Sequence, residues 1–418
     1  MGPKVLLTDT SRWSVGARLA IAFARAGCEV SAVCSTHYHP LQYASVIGKI
    51  FPYSSLRPLR SLESAILKSQ PQFIVPCDER SVRHLHELYL TSSRNGGSRT
   101  EVADLIVRSL GSPESYPIVA SRYDLLKVAA EEGIRVPRTQ AIKEESDLNV
   151  WETEQAFPCV LKADCTHGGA GVEIVPGSEQ ATQGYSRLIR LYSTTRVLKR
   201  LIFNRDPFWI RPWWNGVRSS IIAQSYVDGH PANCAVACWE GKILAGIGVE
   251  VISSVGQTGP ATVVRVVDNC EMMQAAERLA RRLSLSGLFG LDFMIEKGTH
   301  AAYLIEMNPR CTTLCHLQLG QGRNMVGALW AQLSGQPLPE TPPVTKNDLI
   351  AYFPQAWTSK DQLLESSFQD IPREEPKLVD ELLRPWPDRT LLYRLGQVFT
   401  ASGTQDLITA ARQTSRRS

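Results

Sequence analysis

No apolar run in the sequence approaches the ~18 residues that cross a bilayer, so a membrane-spanning helix is excluded. Two standard phosphate loops are missing as well. After the first apolar run comes TDTSRWSVGARLA, with one glycine, Gly16, where a dinucleotide fingerprint needs three. No G-x-x-x-x-G-K-[ST] segment occurs anywhere in the chain, and no A-M-K-M-type segment offers a lysine for biotin. The ten cysteines are scattered and lack the density of a disulfide scaffold, which points to reduced thiols and the cytoplasm. A surplus of one charge sign is also lacking, since 45 Lys and Arg face 41 Asp and Glu. A net charge of +4, partly held by the tail RQTSRRS, falls short of a nucleic-acid coat. The opening MGPKVLLTDTSRW has no long h-region, and Leu6 stands where a myristoylation signal wants Ser or Thr. Neither nucleic acid nor membrane is therefore an expected partner.

What is present is a globular composition, 43% hydrophobic and 21% charged, over 418 residues. At ~150 residues per domain that length suggests roughly two or three domains. KVLLT, then GARLAIAFARAG closed by Gly27, then CEVSAVC, reads as a β-α-β opening. QFIVPC repeats the strand signal, with Asp78 as helix cap for DERSVRHLHELYL. Alternation of this kind predicts a doubly wound α/β sheet over residues 1–115, with SSRNGGSRTE (92–101) as a turn-rich loop. Residues 158–175 read as strand, glycine loop, strand, and IIAQSYVDG (221–229) as a further strand. EMMQAAERLARRLSL places Met272, Ala276, Leu279 and Leu283 on one helix face. GLFGLDFMIE and AAYLIEMNPR, joined by KGTH, read as a β-hairpin. QPLPETPPV marks a linker to a C-terminal appendage. The expected units are 1–115, 116–225, 226–335 and 336–418.

Three segments carry chemistry. Val160-Leu161-Lys162 followed by His167-Gly168-Gly169-Ala170-Gly171 sets a lysine at a strand end before a loop of small residues. Backbone N–H groups there can approach phosphate oxygens while the ammonium supplies a point charge. Read alone, the same pattern is also a hairpin turn with a surface lysine. In the second segment, Glu306 and Asn308 share a strand face by period-2 alternation, with Asp292 on the partner strand. Hard oxygen ligands with two acids suit Mg²⁺. Tyr226 and Val227, after the third strand, offer backbone groups and apolar surface to an adenine.

In this order the segments resemble the ATP-grasp superfamily over about residues 4–335, nearest its carbamoyl-phosphate-synthase-like and biotin-carboxylase-like branch. D-alanine–D-alanine ligase is a more distant likeness. The resemblance implies an ATP-grasp fold, α/β and α+β, behind a doubly wound N-terminal domain. It implies ATP, with Mg²⁺ or Mn²⁺, and contacts to nucleotide from Arg122, Lys162, His167, Gly168, Gly169, Gly171, Gln224, Ser225, Tyr226 and Val227. Asp292, Glu306 and Asn308 match the metal ligands, and Arg310 with Lys162 the groups that steady the transferred phosphoryl. Two departures stand out. Ser225 replaces a frequent hinge Glu, leaving Asp228 as the nearest acid for a ribose, and Ala170 replaces a basic loop residue. The activity implied is a ligase that joins a small-molecule carboxylate to an amine through an acyl phosphate, with a homodimer as the one assembly considered. The alternatives are a carboxyphosphate-forming enzyme and an ATP-binding protein without catalysis.

Other residues read as structural. Cys311-x-x-x-Cys315-His316 lacks the second ligand pair of a zinc site and reads as a short helix start. Cys234 and Cys238 read as core, His84 and His86 as solvent-facing, and Trp209, Arg211, Trp213 and Trp214 as an interface cover. Glu250 and the turn Gly256-Gln257-Thr258-Gly259-Pro260 are candidate substrate contacts.

Overall fold

The structure, a computed structural model, describes residues 2–35, 38–93, 98–155, 157–163, 171–190, 221–256, 259–338, 340 and 342–384. Strands β1 (Lys4–Thr8), β2 (Glu29–Cys34), β3 (Lys49–Pro52) and β4 (Phe73–Pro76) form a parallel sheet in the order β3-β2-β1-β4. Alternation along β1 assigns its faces. Val5 and Leu7 pack with Leu19 and Phe23 of helix Val15–Arg25, whereas Leu6 packs with Leu62, Ile66 and Leu85 from helices on the opposite side. Both faces are covered, as a doubly wound sheet requires. The order reverses between β1 and β4, so the carboxyl ends of these two strands frame the crevice where such sheets bind ligands.

Asp78 ties that crevice together. Its carboxylate caps helix Glu79–Ser92 by accepting the Ser81 N–H at 2.8 Å, and also accepts the Thr10 hydroxyl at 3.0 Å. The stretch expected as a loop at 92–101 is helical from Ser98, in a helix reaching Leu110. Val102, Leu105 and Ile106 give that helix its apolar face, and the polar RNGGSRT composition before them hid its start.

The second sheet is antiparallel, with β5 (Thr139–Ile142), β6 (Cys159–Ala163), β7 (Val172–Val175) and β8 (Ile221–Ser225) in the order β5-β8-β6-β7. A third, seven-stranded sheet contains β9 (Gly229–Trp239), β10 (Lys242–Ser254), β11 (Ala261–Val267), β12 (Gly287–Glu296) and β13 (Ala302–Asn308), then β14 (Leu349–Tyr352) and β15 (Phe368–Asp370). Their order is β13-β12-β9-β10-β11-β14-β15. Helix Cys270–Arg282, capped by Asn269, lays Met272, Ala276 and Leu279 on this sheet, with Leu283 just beyond. Full burial of each larger side chain there is worth about 1.5–3 kcal/mol.

The parallel sheet's last helix meets the large sheet at Gly111 and Gly287. Both have positive φ, and a Cβ would lie 2.2 Å from Ser284 O at the first and 2.6 Å from Ser109 O at the second. Only glycine permits this backbone contact, which fixes the crevice of β1 and β4 against the β12–β13 hairpin.

The residues past the Pro-rich linker do more than append. Strand β14 pairs with β11 and β15 with β14, which covers an edge that would otherwise lie open. Asp370, at the end of β15, is buried and accepts from Arg18 and from the His316 ring, the latter at 2.7 Å. Burial alone would raise its pKa, but the Arg18 guanidinium and then His316 overcome this and hold the carboxyl well below its usual range. Its stabilisation is therefore complete above the unfolded value, near pH 4, and drains away as pH falls below it. Asp370→Asn is expected to cost about 3–5 kcal/mol at pH 7. Urea unfolding at pH 7 and pH 3 checks this, since the gap between parent and variant should narrow in acid. A gap independent of pH would show that Asp370 does not act through its charge.

Candidate active site

The β12–β13 hairpin aligns Asp292 with Glu306 and Gly290 with Asn308, so the three expected oxygen ligands share one face. Asn308 Nδ2 donates to Asp292 Oδ2 at 2.9 Å. The other oxygen of Asp292 accepts from Asn233 Nδ2 at 3.2 Å. Sequence reading missed Asn233. It arrives because β9 pairs with β12, placing Asn233 opposite Asp292. Its one signal is a lone amide in the otherwise small and apolar run Cys234–Cys238 that follows it.

Three cations close on these acids. Arg122, the first residue of helix Arg122–Glu131, pairs with Glu306 Oε1 at 2.6 Å and donates to Ala163 O at 3.2 Å. Lys162 lies near the end of β6 and is only 5% exposed, with its Nζ 3.5 Å from Ile305 O. Arg310 donates to Asn308 Oδ1 at 3.1 Å and stands 3.7 Å from Glu79 Oε1, which joins the hairpin to the crevice of the parallel sheet.

Electrostatics follow from this packing. Burial, with Glu306 adding to it, pushes Asp292 up to about 6, against the pull of the Asn233 and Asn308 amides and of Arg310. Burial would raise Glu306 too, but Arg122 and Lys162 prevail and hold it below its usual range. Burial drives Lys162 down to about 8; Arg122 adds to this while Glu306 and Asp292 oppose it.

Gly171 closes the glycine loop, its carbonyl accepting the Ala163 N–H at 2.9 Å. His167, Gly168 and Gly169 lie outside the described residues, as do Trp209, Arg211, Trp213, Trp214, Gln257 and Thr258. Gln224 and Ser225 end β8, and Gln224 is buried with its amide 3.4 Å from Thr139 Oγ1. Tyr226 is exposed and Val227 buried, so this strand-to-strand step presents one ring to solvent. Asp228, the ribose candidate, is engaged by Lys297 at 2.9 Å on the surface. Glu250 stands 3.5 Å from His230 Nε2 on the strands leading away from the hairpin.

Two readings need correction. His84 and His86 do not face solvent. His84 is buried, with its Nε2 3.0 Å from the Tyr53 hydroxyl, and the His86 ring stacks on Tyr116 at 3.8 Å. Their helix is covered on two sides, by helix Ser98–Leu110 and by the segment around Tyr116, which one helix's periodicity cannot reveal. Cys311 to His316 form turns and not a helix start, because Thr312 N–H turns back onto Cys315 Sγ at 3.2 Å. Cys234 and Cys238 are buried in the core.

Residues 207–314 match a family model described as an ATP-grasp domain. The carbamoyl phosphate synthase large chain of Kocuria rhizophila is 23% identical over 277 residues, which cover 61% of this chain and 23% of that one. The chain thus spans under a quarter of this curated relative's length. Among solved structures, the biotin carboxylase domain dimer of Hydrogenobacter thermophilus 2-oxoglutarate carboxylase, with MgADP and bicarbonate, superposes with a TM-score of 0.57 at 14% identity, covering 82% of this chain and 72% of that one. An L-amino acid ligase from Bacillus licheniformis gives 0.55 at 12% identity, over 82% and 78%. The chain thus carries a segment that matches an ATP-grasp domain, residues 207–314, and shares the fold of these solved structures.

Proposed function

We propose that the protein is an ATP-dependent ligase that activates a substrate carboxylate as an acyl phosphate for attack by an amine. The observation that carries this reading is the meeting of Lys162, Arg122 and Arg310 with Asp292, Glu306 and Asn308 where three separate elements end. The superposed structures support it, since one is named a carboxylase domain and holds MgADP and bicarbonate, and the other is named an amino acid ligase.

Asp292, Glu306 and Asn308 fit a hard divalent cation by donor chemistry, with two carboxylates and an amide oxygen on one face. The raised pKa of Asp292 marks the cost of burying its charge, with repulsion from Glu306 added, and a bound cation would offset both. These three residues would hold Mg²⁺, with Mn²⁺ as a substitute, and its contribution is to neutralise charge on the polyphosphate. Lys162 and Arg122 would then bind phosphate oxygens, the loop ending at Gly171 would cover them, and the Gln224–Val227 step would receive the adenine. Arg310 bridges the metal-binding face and Glu79, so it is placed to steady the phosphoryl as it passes to a carboxylate. That carboxylate would enter by the crevice between β1 and β4, whose walls also exclude water from the acyl phosphate. The four expected units, and a cytoplasmic setting for the free cysteines among the described residues, belong to the same proposal.

ADP release tests the proposal, measured with ATP and Mg²⁺ alone, with bicarbonate, and with mixtures of carboxylic acids and amines. Release that needs both an acid and an amine is the expected result. Release driven by bicarbonate alone would establish a carboxyphosphate-forming enzyme, and no release under any condition a binding protein.

A further inference from the structure

Asp292 is the middle member of three residues in register across adjacent strands, Asn233 on β9, Asp292 on β12 and Glu306 on β13. The two sides of that row differ. Toward β13 the ladder breaks just past Asp292, because Asp292 faces Glu306 but Phe293 faces Leu304, leaving Ile305 as an extra residue. An extra residue bends its strand and re-aims the side chains beside it. Toward β9 the register runs unbroken, from Gly287 opposite Cys238 to Glu296 opposite Gly229. Asn233 therefore stands on the regular side of Asp292, and Glu306 and Asn308 on the bulged side.

Asn233 is also out of keeping with its surroundings. By alternation along β9 it shares a face with Ala235 and Ala237, and Val249 lies opposite it on β10. All three neighbours are buried and apolar. An amide on such a face is unfavourable unless its hydrogen bonds are made. Its Nδ2 donates to Asp292 Oδ1 at 3.2 Å, while Asn308 Nδ2 holds Oδ2 at 2.9 Å from the other side. The two amides are not equivalent. Asn308 belongs to the proposed ligand set, and its own oxygen accepts from Arg310 at 3.1 Å. Asn233 carries neither commitment. We infer that Asn233 is a positioning residue of the metal site, which aims the Asp292 carboxylate at the cation from the regular side of the sheet. It acts through Asp292 and does not itself hold the cation. The inference rests on the reading of Asp292, Glu306 and Asn308 as the metal-holding residues and adds the group that orients one of them. Removing an outer partner of this kind commonly weakens metal binding by about tenfold to a hundredfold.

The test titrates the full chain with Mn²⁺ in the absence of nucleotide, counting unbound Mn²⁺ by electron paramagnetic resonance. Asn233→Leu, close in size but without the donor, is expected to weaken Mn²⁺ binding about tenfold or more. Asp292→Ala should weaken it at least as much. Adding Asn233→Leu to Asp292→Ala should then cost less than about twofold further, because the residue it orients is gone. Metal-free ADP should bind Asn233→Leu as it binds the parent. Asn233→Ala gives the same readings if the leucine is not accommodated, and thermal melts show which variants fold. Parental Mn²⁺ affinity in a folded Asn233 variant would overturn the inference. So would a matching loss of metal-free ADP binding, which would make the effect a general disturbance of the site. A loss that persists in full beside Asp292→Ala would overturn it too, since Asn233 would then hold the cation itself. Parental Mn²⁺ affinity in Asp292→Ala is a different failure, and it would remove the metal-site reading and the inference with it.

Discussion

Glu306→Gln is expected to abolish magnesium-dependent ADP formation, a fall of about a hundredfold or more, while the protein still folds. Glu306 is not the freely solvated acid that a strand end suggests. Its side chain is 25% exposed, and its charge is set against Arg122 at 2.6 Å and against buried Lys162. Gln keeps the size and one hydrogen bond to Arg122 but leaves two neighbouring cations without a countercharge. A loss of about 1.5–3 kcal/mol in stability follows, the worth of a hydrogen bond to a charged group, well short of unfolding. The same imbalance makes a second expectation. Metal-free ADP should bind the variant at least as well as the parent, because the phosphates supply the missing negative charge. Thermal melts, ADP titration without magnesium and a turnover assay read the three effects separately. Near-parental turnover at saturating magnesium would place the metal elsewhere and take away the main support for the ligase.

The site residues visible in the sequence are those whose placement depends on one segment. Glu306 and Asn308 share a face because strands alternate, and Asp292 faces them because KGTH closes a hairpin. Lys162 stands next to last in its strand, before the loop, in sequence as in space. What stayed hidden depends on segments far apart in the chain. Asn233 reaches Asp292 across 59 residues through the β9–β12 pairing, which local pattern does not encode. Glu79 joins Arg310 only because the parallel sheet docks on the hairpin through Gly111 and Gly287. His86 looked solvent-facing because its helix is amphipathic, yet that helix is covered on a second side around Tyr116. The strands at 349–352 and 368–370 were hidden differently. Their sequences are short and their value lies in closing an edge, which only the finished sheet defines.

Lys162→Ala should weaken Mg·ADP binding by roughly tenfold to a hundredfold, the worth of a charged hydrogen bond of about 1.5–3 kcal/mol. Asp292→Ala should weaken it less, because a water can take one place among three metal ligands. The burial of Lys162 makes the claim sharper than a simple loss. Its pKa is pushed down to about 8, so in the free protein the ammonium is largely charged at pH 7 and largely neutral by pH 9. A phosphate binds the charged form, so parental affinity should be level below about pH 7 and fall above pH 8, approaching tenfold per pH unit. Lys162→Ala has nothing to titrate there and should show a weak, flat profile over the same range. Lys162→Arg, charged throughout, should be flat and stronger than Ala if the guanidinium fits. Calorimetric titrations of Mg·ADP from pH 6.5 to 9.5 compare the three. A parental profile that parallels the Ala profile would mean that another group gives the pH dependence. Equal affinity of Lys162→Ala and the parent at pH 7 would mean that the buried ammonium does not touch phosphate, and that its place beside Glu306 serves the apo fold instead.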